Sequence, residues 1–148
     1  MRALVIADIH YAKAADQRSA DKVHGREGLK LLAAAFSCCP DVDAVLVLGD
    51  MIDNSRDPAS TADAHAVYAA LRDFGRPALV VGGNHDGPPE IAEMAYGCPD
   101  GLHAVAGVDF YLFDDTFGPY HVCSRSAAAM RRFHAALAAR SVAARRHP

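Results

Sequence analysis

Three stretches of the chain decide how it folds: LVIADIH at Leu4–His10, AVLVLGDMIDN at Ala44–Asn54 and ALVVGGNHD at Ala78–Asp86. Each opens on a short apolar run, Leu4–Ala7, Ala44–Leu48 or Ala78–Val81, and closes on carboxylates, imidazoles or an amide. Unbroken apolar runs of this length, with no polar alternation, predict strands buried on both faces, as in a parallel sheet. Helical patterns lie between them. Leu29, Leu32, Ala33 and Phe36 stand at i, i+3, i+4 and i+7, and Ala64, Val67, Tyr68 and Leu71 repeat that spacing. Such a stripe packs one side of a helix on a sheet. Asp57, Pro58 and Ser60 signal the start of the second helix, and Gly75 with Pro77 its end. The order β-α-β-α-β predicts right-handed crossovers and a layered α/β sheet.

Beyond Asp86 the pattern weakens. Pro88–Ala95 reads as a short helix, and Leu102–Ala106 and Val108–Phe113 as two strands joined at Gly107. Ser126–Ala139 predicts a last helix with Met130, Phe133 and Leu137 on one stripe, followed by an Ala/Arg-rich tail from Ser141. Lys13–Lys22, polar and Ala-rich, reads as a long loop after the first strand.

Composition narrows the class. A length of 148 residues, 51% of them hydrophobic and 22% charged, fits one folded domain with a real core. Fifteen basic and eighteen acidic side chains give a net charge of −3. No bulk basic field is present, so nucleic acid is not indicated as a partner. No apolar run approaches the roughly 20 residues that span a bilayer, and no membrane association is expected. The opening apolar stretch, interrupted by Asp8, is too short for a secretory signal. Cys38, Cys39, Cys98 and Cys123 form no C-x-x-C pair and are expected to be small buried or half-buried thiols of a cytoplasmic protein.

The three polar clusters follow the three strands, and ligands bind where the carboxyl ends of parallel strands open into a crevice. Asp8 and Asp50 would meet there as two confined carboxylates, which either raise a pKa or demand a cation between them. His10 and His85 offer imidazole nitrogens, and Asn84 a carbonyl oxygen. Mixed N and O donors suit Mn, Fe, Zn or Co. Asp8 and His10, one residue apart, would share a face of an extended chain. Asp50, with two oxygens, can bridge two ions, and paired ions about 3.5–4 Å apart activate water and clamp a phosphoryl group. Taken singly, each motif has a plainer account. Asp8 can cap a helix, His10 can sit on the surface, and Gly49-Asp50 can simply turn. The order and the shared strand-end position favour a joint site.

In that order the motifs resemble the calcineurin-like metallophosphoesterases, whose signature runs D-x-H, G-D-x-x-D and G-N-H-D or G-N-H-E. Here they stand as Asp8/His10, Gly49/Asp50/Asp53 and Gly83/Asn84/His85/Asp86. The resemblance covers Met1 to Asp86. It implies a layered αββα sandwich and a dinuclear enzyme that hydrolyses phosphomonoesters or phosphodiesters with a metal-bound hydroxide. It implies two divalent ions and a small-molecule phosphate ester as substrate. Asp8 and His10 would bind the first ion, Asp50 would bridge, and Asn84 would bind the second. His85, aided by Asp86, would act on the leaving group, with Asp53 and Asn54 orienting the Asp50 loop.

The family completes its site with a later histidine and a G-H-x-H pair, which this sequence lacks. The expectation is one calcineurin-like phosphoesterase domain over residues 1–148, incomplete at its C-terminus. The competing expectation is an inactive module that serves as a binding or partner-dependent subunit. An unpaired sheet edge and an open apolar face would then favour a homo-oligomer or a complementing chain. His24, His65, His103, His121 and His134 read as surface or internally satisfied histidines, while His24 and Tyr11 border the loop that opens toward the site.

Overall fold

The computed structural model describes residues 1–13, 24–87, 100–113, 115–118 and 122–146. Strands β1 (Ala3–Ile6), β2 (Ala44–Leu48) and β3 (Ala78–Val81) form a parallel sheet in the order β1-β2-β3. The second and third strands have the bounds their apolar runs predict. The first ends one residue early, because the chain leaves the ladder for a left-handed turn at Asp8 (φ 54°). Helices α1 (Gly28–Cys38) and α2 (Ser60–Asp73) are the two crossovers. Right-handed crossovers between strands in consecutive order place both helices on one face.

That face holds the core. The register pairs Leu4 with Val45 and Ile6 with Val47, and Val47 with Val80. These side chains pack with Leu32, Phe36, Val67, Tyr68 and Leu71 of the helices. All four residues of the predicted α2 stripe, Ala64, Val67, Tyr68 and Leu71, are buried. The α1 stripe differs from its expectation. Gly28, Leu32 and Phe36 are buried, whereas Ala33 is exposed. Leu29 packs against the core as well, so Ala33 is the one member of the stripe that is out. Gly28 packs closely on the loop after β1, where a Cβ would lie 3.0 Å from the Ile9 carbonyl oxygen. The opposite sheet face carries Val5 and Leu48, which are 55% and 56% exposed.

Strands β4 (Gly101–Val105) and β5 (Val108–Leu112) form an antiparallel hairpin. Its two turn residues, Ala106 and Gly107, both have positive φ (48° and 77°), as the primed hairpin turns require. β6 (Thr116–Phe117) and β7 (Cys123–Ser124) make a second small antiparallel pair. Helix α3 (Ala127–Arg146) begins where Ser126 Oγ accepts the Ala129 N–H at 3.0 Å. It runs past the predicted end at Ala139, through an Ala/Arg run of high helix propensity. Phe133 packs on Tyr111 and Phe113 of the hairpin segment, but Leu137 is 49% exposed, so the predicted stripe is buried only in part.

The α/β class read from the sequence is the one observed, with a parallel sheet and helices layered on it. Among the described residues the strands outside that sheet form only two two-stranded pieces. The helix expected at Pro88–Ala95 and most of the Lys13–Lys22 loop lie outside the described residues. No described helix is long and apolar enough to cross a membrane.

Candidate active site

Three loops leave the carboxyl ends of β1, β2 and β3, and backbone hydrogen bonds zip the first two together. The N–H groups of Asp8, His10 and Tyr11 donate to the carbonyls of Gly49, Asp50 and Met51 at 3.2, 2.9 and 2.9 Å. The Asp53 N–H returns a bond to the Tyr11 carbonyl at 3.2 Å. The pairing of β1 with β2 is thus carried on beyond the strands, and Tyr11 is buried against Ile52. Asp63, on the buried side of α2, accepts the Lys13 N–H at 3.3 Å and ties the start of the Lys13–Lys22 segment to that helix. An acid beside the apolar row of α2 was the signal in the sequence for this role, which the motif reading passed over.

The loop is not extended, so Asp8 and His10 do not share a face for the reason the spacing suggested. Asp8, His10 and Asp50 all take left-handed backbone, with φ of 54°, 45° and 52°. Asp and His tolerate this region better than most residues. The outcome is convergence. His10 Nε2 lies 3.7 Å from Asp8 Oδ1 and 3.9 Å from Asp50 Oδ2. These separations exceed a hydrogen bond, yet suit donors that share one ion through bonds of about 2 Å.

The third loop is set against Asp50. Gly49 (φ 92°) and Gly83 meet back to back, and a Cβ on Gly83 would drive into the Asp50 backbone N and carboxylate. Glycine at 83 answers a close approach rather than a turn. Asp50 Oδ1 accepts the His85 N–H at 3.0 Å, while Oδ2 is the oxygen nearer His10. Asn84 is half-buried between Gly83 and His85, at the same turn.

Asp86 follows His85 in sequence but does not serve its imidazole in the way the resemblance implies. Its carboxylate accepts the N–H groups of Met51 (2.7 Å), Ile52 (3.1 Å) and Gly83 (2.8 Å). Burial raises its pKa, against the pull of those three donors. Asp53 stands beside His85 instead. His85 Nδ1 is 2.5 Å from the Asp53 carbonyl oxygen, which accepts its N–H, and the two rings of His10 and His85 meet edge to face at 4.7 Å. Donor atoms of His10, Asp53 and His85 lie within 4.8 Å of one another, as do those of Asp8, His10 and Asp50. Asn54 turns away, its Oδ1 accepting the Arg56 N–H. His65, His103 and His134 join neither group. A cleft of about 330 Å³ runs over Asp8, His10, Asp53 and His85.

A calcineurin-like phosphoesterase model matches residues 1–135. The chain belongs to that family. Among solved structures, the chain is similar to a dimetal phosphatase from Danio rerio, with 25% identity and a TM-score of 0.55. The match covers 66% of this chain and 34% of the other, so the chain spans about a third of that protein's length. No curated protein matches it. The donor set fits divalent ions, since two carboxylate oxygens face one imidazole nitrogen, each within 4 Å of it.

Proposed function

We propose that this phosphoesterase hydrolyses a small-molecule phosphomonoester or phosphodiester with two divalent ions. Asp8 and His10 would hold the first, Asp50 would bridge, and Asn84 would hold the second. The observation that carries this is the convergence of Asp8, His10 and Asp50 at the tips of two neighbouring parallel strands. When bound, such ions supply Lewis acidity to the phosphoryl oxygens and acidify water. The chain's own residues then divide the remaining work. The Asp53 carbonyl occupies Nδ1 of His85, which leaves Nε2 as the nitrogen that exchanges a proton with the ester's leaving oxygen. Asp86 is a positioning residue that fixes the Asp50 loop against the His85 loop. Exposed Cys38 and Cys123 and half-buried Cys39 are free thiols, which supports a reducing, cytoplasmic setting.

A second function has its own support. The two donor groups share His10, so together they comprise five residues rather than six. A partner-dependent subunit, whose complement adds donors, fits that arrangement.

Both are tested by metal content and by turnover of p-nitrophenyl phosphate and bis-p-nitrophenyl phosphate with added Mn. The expected result is bound metal and turnover that Asp50→Asn lowers by about 100-fold or more, since loss of a group that merely orients a ligand already costs about 10–100-fold. Bound metal without turnover favours the partner-dependent subunit, and a purified chain that takes up no Mn or Zn overturns the phosphoesterase function.

A further inference from the structure

A second cleft, of about 180 Å³, opens between the end of β1 and helix α1. Its walls are apolar, formed by Ile6, Ile9, Leu31, Leu32 and Ala35, with Asp8 at one end. Asp8, Ile9 and Leu31 also line the cleft over His10 and His85, so the two spaces adjoin across shared residues. Leu31 stands at the junction and is 66% exposed, outside the buried row of α1 that runs through Gly28, Leu32 and Phe36.

We infer that the apolar cleft receives the organic group of the ester, so that the preferred substrate carries an aryl or compact alkyl group next to its phosphate. This rests on the phosphoesterase reading above and adds a substrate class to it. Size favours such an occupant, since an apolar cavity of roughly 150 Å³ accommodates a benzene ring. Position favours it as well. A phosphoryl group held at Asp8 and His10 would lie beside the apolar wall, since Asp8 lines both clefts, and a charged or sugar-like group there would lose hydration without gaining partners. Ala35 lines this cleft and not the polar one, so a change there tests this cleft alone.

The test compares phenylphosphonate with methylphosphonate on the Zn-loaded full chain, by calorimetric titration and by methyl NMR of Leu31, Leu32 and Ala35. Phenylphosphonate is expected to bind about tenfold tighter, the return from partly burying one aromatic ring. Only phenylphosphonate should shift the Ala35 methyl signal. Ala35→Leu, which fills the cleft, and Ala35→Gln, which makes it polar, should each bring the ratio of the two affinities to about one. Both replacements are good helix formers, so α1 is retained. Equal affinities in the wild-type chain, or a preference that survives both variants, overturn the apolar subsite alone. If neither phosphonate binds, the phosphate site fails and the subsite fails with it.

Discussion

The Asp86 carboxylate accepts two N–H groups from the loop after β2 and one from Gly83 in the loop after β3. Both oxygens are engaged, and the residue is buried. An amide in its place keeps one acceptor and turns an NH₂ toward a backbone N–H. Asp86→Asn is therefore expected to destabilise the chain by about 1–3 kcal/mol, the penalty for a buried donor left without an acceptor. Urea unfolding measures this, and an unchanged midpoint would show that the three bonds contribute nothing net. Metal affinity should fall as well, because Met51 adjoins Asp50. The left-handed Asp8, His10 and Asp50 cost roughly 1–3 kcal/mol each, and the surrounding hydrogen bonds hold them there. Strain gathered on three ligand candidates is the mark of a site whose geometry outranks local comfort.

Helix α3 joins the β4–β5 hairpin through ion pairs and rings. Arg132 meets Asp100 at 2.5 Å, Arg140 meets Asp109, and Arg125 lies 3.7 Å over the Phe113 ring while it pairs with Asp115. Hydrogen bonds from Arg125 hold the Asp115 carboxyl below its ordinary pKa. A depressed carboxyl contributes stability above its unfolded pKa and loses it as pH falls through the folded one. Stability should thus decline as pH falls below about 4, partly through this pair, and Asp115→Asn should flatten that limb. Arg125 is substantially exposed, so solvent screening keeps the effect small. Thermal midpoints across that pH range, compared between the two proteins, decide it. Identical slopes would assign the acid sensitivity to other carboxylates.

At the scale of the molecule, the sheet has one face under two helices and another that shows Val5 and Leu48 to solvent, with β1 at its edge. Apolar residues on an open face next to a strand edge favour association. Sedimentation should show concentration-dependent assembly, and Val5→Thr with Leu48→Thr should weaken it by about tenfold or more while β propensity is kept. A monomer at all concentrations would show that this face is compatible with water as it stands.

The apolar runs and the Ala64–Leu71 stripe determined the β-α-β-α-β frame, but the burial on both faces that the runs predict holds on only one, since Val5 and Leu48 are exposed on the other. The residue types at the strand ends, with the spacing of Asp8, His10, Asp50 and Asn84, determined which chemistry was at stake. Tertiary structure decided the rest. No local pattern announces left-handed backbone at Asp8 and His10, since neighbouring-loop hydrogen bonds impose it. Adjacency in sequence paired His85 with Asp86, whereas the turn aims the Asp86 carboxylate at backbone N–H groups and brings Asp53 to the imidazole. The close packing of Gly28 on the Ile9 carbonyl is a contact between distant segments, which a linear pattern does not contain.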